Sequence, residues 1–270
     1  MSFDNEGFLS EDTLKFRAQN RERYANLFSL TDDLNRYAHR VKFSINIHSR
    51  DLQEVICSCL FLRVLNSYAA SVRLAELGMC HDAEALCRVA LEALFFMKNC
   101  AEDREATIAY VKSDQQDRLK LLNVMKDKSS SLHELIRSGQ FTEIDALHEL
   151  LKKEIEEEKI AERKAWEAAS KAKLAGVYDY AYRMLSQSVH SSPRSISRYV
   201  EMDEDGEVRQ VYSTPEKDSI PLTLFTSAST LMMSLMVMRD LFKVEMPELE
   251  GLGERFQMLD KEYSKERRQD

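Results

Sequence analysis

The chain has 270 residues, of which 44% are hydrophobic and 31% are charged, so its composition excludes a disordered or fibrous protein. It carries 46 acidic and 38 basic residues, and this net charge of −8 argues against the overall basic surface of a protein that binds duplex DNA. It contains 7 glycines and 4 prolines, against about 19 and 13 at average usage, which favours helices over a sheet-rich fold.

The hydrophobic pattern predicts helices along most of the chain. We expect four helices in the first half, over about residues 11–40, 51–77, 81–100 and 102–127. The second half is expected to add a helix over about 178–190, another over about 221–243, and a charged C-terminal tail, 248–270, that forms a last, fraying helix. The sequence therefore predicts a single all-α domain, 1–270, with a bundle of about seven or eight helices.

Two segments differ from the rest of the chain. The segment 141–173 is so rich in Lys and Glu that it predicts one long helix, either an arm that binds a partner or a solvated surface. Residues 198–202 and 207–212 have the composition of strands and flank a loop that ends in Asp205-Gly206, a dipeptide typical of hairpin turns. We therefore expect one small β-hairpin over 198–212.

The cysteines and the apolar stretches indicate a cytoplasmic protein. The five cysteines are odd in number, contain no Cys-x-x-Cys motif and lie in apolar helical stretches, which is typical of reduced core residues. The N-terminal stretch is acidic and lacks the apolar segment of a signal peptide. The longest apolar stretch, 222–238, is too short and too rich in Ser and Thr to predict a membrane span, so we expect no membrane partner.

The sequence predicts neither a cofactor nor a metal. It contains none of the glycine-rich phosphate-binding motifs, no G-x-S-x-G and no H-E-x-x-H. The pairs His81-x-x-Glu84 and Asp145-x-x-His148 are isolated, whereas a di-iron bundle needs two Glu-x-x-His segments. We therefore expect neither pair to bind a metal.

The segment 178–194 concentrates the side chains that predict a site. On a continuous α-helix Arg183, Ser186 and His190 share a face, with Tyr182 one position away. His190 precedes a Ser-Ser-Pro break, where the end of a helix favours a protonated imidazole. No acidic residue occurs from 180 to 200, although that stretch holds three arginines, Arg183, Arg194 and Arg198. These features predict either a polar, basic site or a capping histidine with arginines paired to carboxylates.

The spacing Arg183-x6-His190, late in an all-helical chain, resembles the Arg-x4–6-His signature of the HEPN superfamily. That resemblance implies a metal-independent endoribonuclease, of the kind found among toxins and phage-defence effectors, that acts as a homodimer with one composite cleft. It implies that His190 exchanges a proton with the ribose 2′-OH or the leaving oxygen, while Arg183 stabilises the phosphorane charge. Tyr182 and Ser186 would orient the phosphate or stack on a base of single-stranded RNA, and Arg194 and Arg198 would add positive charge.

Two further features resemble an uncharacterised bacterial all-helical family. One is an Arg-x3-Glu helix, here Arg88 and Glu92, and the other is a Tyr-x3-Ser-x3-His helix end, here formed by Tyr182, Ser186 and His190. This resemblance implies no known activity. Arg88 and Glu92 are expected either to form a buried ion pair or to reach toward His190 and contribute to substrate binding.

The alternative function is a non-catalytic helical interaction module. The charged arm 141–173 and the Met-rich helix 222–238 would then bind protein partners, since methionine side chains adapt to different surfaces. The two functions make different structural predictions. Arg183 and His190 in an open cleft, with no carboxylate occupying the arginine, would favour the enzyme, whereas both residues in buried pairs would favour the module.

Overall fold

The computed structural model describes residues 2–127, 129, 141–190, 193–211 and 213–266. It is mostly helical (78%) with one small antiparallel sheet, which confirms the predicted all-α class with one hairpin. Eleven helices of seven residues or more occur in the described ranges, whereas we predicted seven or eight. In order, α1 to α11 are Asp12–Arg23, Ala25–Ser44, Leu52–Glu76, Cys80–Glu102, Arg104–Lys112, Asp114–Lys126, Phe141–Glu158, Ala165–Lys171, the continuous helical segment 175–186, Ile220–Phe242 and Pro247–Glu266.

The higher helix count comes from short breaks that the hydrophobic pattern does not show. The helix predicted over 11–40 is divided at Tyr24, whose buried ring enters the core and whose hydroxyl donates to the carbonyl of Lys217 at 3.1 Å. The helix predicted over 102–127 is divided at Ser113, whose hydroxyl donates to the carbonyl of Tyr110 at 2.6 Å. A break of one residue leaves the apolar periodicity nearly intact, so the sequence pattern passes over it.

The core is built on the helical hairpin of α3 and α4, with α10 packed against both. The Ser227 hydroxyl of α10 lies 2.8 Å from the Ser71 hydroxyl of α3 and 3.1 Å from the Cys87 sulfur of α4, and all three atoms are buried. One cluster of buried apolar residues joins α2, α3, α4, α8, α9, α10 and α11. The single domain over 1–270 stays a prediction.

Among the described residues, two helices, α3 and α10, are long and apolar enough to cross a membrane. In their apolar windows 56% and 72% of the residues are buried inside the structure, as in the core helices of soluble proteins. They are therefore weak evidence for a membrane span, and the cytoplasmic location stays a prediction.

Gly78 lies in the turn between α3 and α4, where it contacts the segment that precedes α10. Its φ of +76° is one that residues with a side chain rarely adopt. A Cβ at this position would lie 2.7 Å from the Pro215 Cβ, and the Gly78 carbonyl accepts from the Glu216 N–H at 2.9 Å. The turn therefore needs glycine for both its backbone angle and its close contact.

Glu76, at the end of α3, is buried and holds α1 against the core. Its carboxylate accepts from Arg17 at 2.8 Å and from Arg73 at 3.1 Å, and it also binds Arg21. The amide of Asn20 donates to the Glu76 carbonyl at 3.0 Å. Three arginines thus compensate the burial of one carboxylate.

The segment 141–173 is not one continuous helix, as predicted, but α7 and α8 separated by residues 159–164. Lys159 has a φ of +52°, and the buried Ile160 that follows donates its N–H back to the Ile155 carbonyl at 3.0 Å. The Ile160 carbonyl accepts from the Gln116 side chain of α6 at 2.7 Å. Burial of Ile160 therefore ends the helix and returns the chain toward α6.

The predicted hairpin is present with shorter strands than expected. β1 is Val200–Met202 and β2 is Val208–Val211, paired antiparallel with Val200 opposite Val211 and an irregularity at Glu201/Met202. Every residue of β2 is exposed. Position 212, the predicted end of the hairpin, lies outside the described residues. The predicted tail helix is α11, which packs on α2, pairs with it through an Arg255–Asp33 ion pair of 2.7 Å, and places Leu249 and Leu259 in the core. The end of the predicted tail, 267–270, lies outside the described residues.

All five cysteines are free, and four of them are buried, as predicted for core residues. Burial raises the pKa of Cys57 to about 12 and the pKa of Cys87 to about 11. Cys59 is exposed, so the prediction of a core residue is wrong for it: on α3 its side chain points in a different direction from that of buried Cys57.

Candidate functional site

The candidate site lies on α9, which contains a π-helical turn over Tyr178–Tyr182. Such turns interrupt an α-helix at a cost and occur frequently at functional sites. The rings of Tyr178 and Tyr182 stack with centroids 4.8 Å apart and planes 21° from parallel. Tyr182 is buried, and its ring lies 5.7 Å from that of Phe95 on α4, so the π-helical turn faces the core.

Four of the predicted site residues form one network between α4 and α9. The Tyr182 hydroxyl donates to the Glu92 carboxylate at 2.6 Å, and the Arg88 Nε donates to the Ser186 hydroxyl at 3.1 Å. The Arg88 guanidinium lies 4.5 Å from the centre of the Tyr182 ring and 3.7 Å from Glu92. The Arg88–Glu92 pair is therefore real but half-exposed, rather than the fully buried pair that we considered.

The network fixes the protonation state of Tyr182. Burial and the hydrogen bond to the Glu92 carboxylate both raise the pKa of this phenol well above its usual value. Tyr182 therefore stays a hydrogen-bond donor at neutral pH, and its hydroxyl ties α9 to α4.

His190 lies beyond the end of the helix that we predicted to contain it. The α-helix stops at Ser186, and the next N–H groups bond three residues back, from Ser188 to Leu185 at 3.0 Å and from Val189 to Ser186 at 3.3 Å. The chain tightens in this last turn, as helix ends commonly do, so the continuous α-helical face predicted for Arg183 and His190 does not extend to residue 190. The His190 side chain is exposed and has no hydrogen bond or ion pair in the described ranges.

Arg183 is also exposed, with 68% of its side chain accessible. Its Nε lies 3.3 Å from the Asp179 carboxylate, which is as exposed as the arginine, and its guanidinium lies 5.7 Å from the Tyr178 ring. The Asp179 carboxylate thus occupies Arg183, so the condition that favours the enzyme is not met. Neither Arg183 nor His190 is held in a buried pair, so the condition that favours the module is not met either. Among the described residues, no hydrogen bond or ion pair joins either of them to the Arg88–Glu92–Tyr182–Ser186 network.

The predicted arginine patch is only partly available. Arg198 lies 3.2 Å from the Glu84 carboxylate and 3.7 Å from that of Glu216, so its charge is paired. The side chain of Arg194 lies outside the described residues. The absence of acidic residues from 180 to 200 therefore does not extend to space, because Glu84 and Glu216, which lie outside that stretch, bring their carboxylates to Arg198.

Sequence reasoning missed a cavity of about 330 Å³ beside α9, which contains His81, Glu84, Ser188 and Arg198 in its walls. Glu84 is buried there and accepts from the Ser188 hydroxyl at 2.6 Å. The His81-x-x-Glu84 spacing was the available signal, although we considered it only as a metal pair. Within the residues that the structure describes, no group of three or more His, Cys, Asp and Glu side chains is placed to hold a metal ion.

Comparison with known proteins gives a match to a family model. Residues 54–208 match the model of a family of unknown function, DUF5677. The matched range includes every predicted site residue and agrees with the resemblance to an uncharacterised helical family, whereas no comparison shows the HEPN superfamily. No curated protein and no solved structure matches the chain.

Proposed function

The chain belongs to the DUF5677 family, whose function is unknown, and from that premise we propose that it is a HEPN-like, metal-independent endoribonuclease that acts on single-stranded RNA. One observation carries the proposal: Arg183 and His190, the two residues of the Arg-x6-His spacing, are both exposed and free of buried partners in the described structure. A core role would instead bury at least one of them. An imidazole and a guanidinium open to solvent on one short segment are suited to act on a phosphodiester.

The proposed reaction uses His190 as the proton carrier. The imidazole takes the proton of the ribose 2′-OH, the 2′ oxygen forms a bond to phosphorus, and the bond from phosphorus to the 5′ oxygen breaks. The leaving 5′ oxygen then takes the proton from the imidazolium, which leaves a 2′,3′-cyclic phosphate and restores the neutral histidine. Arg183 stabilises the negative charge on the phosphorane.

The network on α4 has a positioning role in this proposal. Arg88, Glu92, Tyr182 and Ser186 satisfy one another, so they are not free to bind a phosphate directly. They fix α9 on α4 and thereby set the position of Arg183 and of the turn that leads to His190.

The proposal includes a homodimer, because one exposed Arg183 and one His190 make a shallow site that a second copy would complete. The exposed apolar residues Met202, Val208 and Val211 of the hairpin supply surface for such a contact. Light scattering at micromolar concentration should give twice the 31.3 kDa of one chain. A measured mass equal to that of one chain would contradict the homodimer and, with it, the composite cleft.

The same exposed hairpin favours a second function, the non-catalytic interaction module. Large apolar side chains on a two-stranded sheet with open edges are typical of surfaces that bind another protein. In that case the function would depend on the apolar residues and not on Arg183 or His190. The Arg183→Ala and His190→Ala variants therefore distinguish the enzyme from the interaction module.

The test is cleavage of single-stranded RNA in the presence of EDTA. We expect products with 2′,3′-cyclic phosphate ends, and at least about a 10²-fold loss of rate in His190→Ala, the range for removing a general acid or base. Arg183→Ala should lose about 10²-fold through the missing positive charge. If the protein acts as a toxin or phage-defence effector, its expression should arrest bacterial growth and the His190→Ala variant should not.

Two matched controls are available in the chain. Arg118 pairs with Asp114 one helical turn before it, at 2.6 Å and with 69% of its side chain exposed, which closely resembles the Arg183–Asp179 pair. His48 is an exposed histidine that binds Glu54, far from α9 in sequence. Arg118→Ala and His48→Ala should keep full activity. Full cleavage by both site variants, or loss of cleavage with EDTA, would contradict the proposal.

A further inference from the structure

The cavity beside α9 is lined by both apolar and polar side chains. Its apolar lining residues are Met184 and Leu185 of α9 and Leu222 of α10, and its polar ones include His81, Glu84 and Arg198. A volume of about 330 Å³ lies in the range of cavities that bind small organic groups, and a few polar groups among apolar ones are typical of such sites.

Glu84 is the group that decides what this cavity can bind. Its carboxylate is buried, and its two bonds, from the Ser188 hydroxyl and from Arg198, both reach the same oxygen, Oε2. In the described part of the chain the other oxygen, Oε1, has no partner. A carboxylate accepts hydrogen bonds only, so a ligand seated here must offer N–H or O–H donors.

The cavity adjoins the candidate catalytic segment. Met184 follows Arg183 directly in sequence, and Ser188 lies two residues before His190. Ser195, another wall residue, donates its hydroxyl to the His190 carbonyl at 2.7 Å. A group bound in the cavity would therefore lie next to the turn that carries His190.

We propose that this cavity binds a guanine base of the RNA substrate, an inference that rests on the ribonuclease function proposed above. Guanine is the base that presents two adjacent donors, N1–H and the 2-amino group, to a carboxylate, and its O6 accepts from an arginine. The Oε1 oxygen of Glu84, whose two lone pairs can accept both donors, supplies the acceptor, Arg198 supplies the donor, and the apolar lining residues would contact the ring. Adenine would instead place its N1 acceptor against the carboxylate.

The experiment measures binding without cleavage. Fluorescein-labelled 2′-O-methyl oligouridylates that contain one central guanine, inosine or adenine lack the 2′-OH nucleophile, and their affinities are compared by fluorescence anisotropy. We expect guanine to bind about 10- to 100-fold more tightly than adenine, the discrimination of a good bidentate contact, with inosine between them because it lacks the 2-amino group. Equal binding of the three oligomers by the wild-type protein would overturn the proposal.

Variants then assign the preference to the cavity. Glu84→Gln replaces an acceptor oxygen with a donor and should reduce the preference for guanine to less than about 3-fold, since the bidentate contact is lost. Glu216→Gln is the matched control, because Glu216 also contacts Arg198, at 3.7 Å, but does not line the cavity. Leu222→Trp, which fills the cavity, should weaken binding of the guanine oligomer without a change for the adenine one. A guanine preference retained in both cavity variants, with folding confirmed by circular dichroism, would place the base elsewhere.

The binding assay and the cleavage assay fail independently. Preference for guanine without any cleavage of RNA would support the guanine site and contradict the ribonuclease function. Cleavage of RNA together with equal binding of all three oligomers would support the ribonuclease function and contradict the guanine site.

Discussion

Replacement of Arg88 and replacement of Arg183 should have very different effects on stability. Arg88 donates to Ser186 at 3.1 Å, and a hydrogen bond from a charged donor contributes about 1.5–3 kcal/mol. Stacking on the Tyr182 ring adds about 0.5–1 kcal/mol. The ion pair with half-exposed Glu92 adds less than about 1 kcal/mol because solvent screens it. Because neighbouring contributions are not fully additive, we expect Arg88→Ala to lower the free energy of unfolding by about 3 kcal/mol.

Arg183 has only an exposed pair within its own helix, which contributes about 0.3–0.5 kcal/mol. Urea unfolding followed by circular dichroism measures the free energy of unfolding of both variants. In thermal unfolding, the melting temperature should fall by about 6–12 °C in Arg88→Ala against about 1 °C in Arg183→Ala. The double variant with Ser186→Ala should show a coupling of about 1.5 kcal/mol with Arg88. Equal destabilisation by the two arginine variants would refute the assignment of Arg88 to the network and of Arg183 to an open site.

Three other predictions concern groups away from Arg183. Iodoacetamide at pH 8 should label Cys59 alone in the folded protein, as mass spectrometry would show, because the other thiols are buried and the pKa of Cys57 is raised to about 12. Glu76→Gln should lower the free energy of unfolding by about 3–5 kcal/mol in urea titrations, because it removes the charge that compensates three arginines, whereas Glu76→Asp should recover part of the loss. The pKa of Tyr182 is raised in the folded state, so its contribution to stability is complete below about pH 10 and is lost as the pH rises toward the folded pKa. Tyr182→Phe should therefore lose less stability between pH 8 and pH 10.5 than the wild-type protein.

The sequence correctly predicted the features that depend on composition and on the local periodicity of apolar residues. The all-α class, the hairpin and the buried cysteines follow from composition and short-range pattern, and the Arg88–Glu92 pair follows from its spacing of four residues on one helix. Breaks at Tyr24 and Ser113 did not follow, because one non-helical residue hardly disturbs a 3.6-residue period.

The cavity was beyond sequence reasoning for a different reason. Its polar lining joins Glu84 to Ser188 and Arg198, more than 100 residues away, so no local pattern connects them. Burial of Glu84 likewise depends on how α9 packs against α4. The π-helical turn over Tyr178–Tyr182 also depends on that packing, because the stacked rings face Phe95.

The position of α10 has a practical consequence for work on fragments. The family match ends at residue 208, whereas the helix that covers the apolar faces of α3 and α4 begins at Ile220. A fragment cut at the limits of the match would expose to water the surface that α10 buries, together with the Ser71 and Cys87 groups that Ser227 contacts. Expression trials that follow the family boundaries should therefore yield aggregates, and soluble material should require the chain to continue through Phe242.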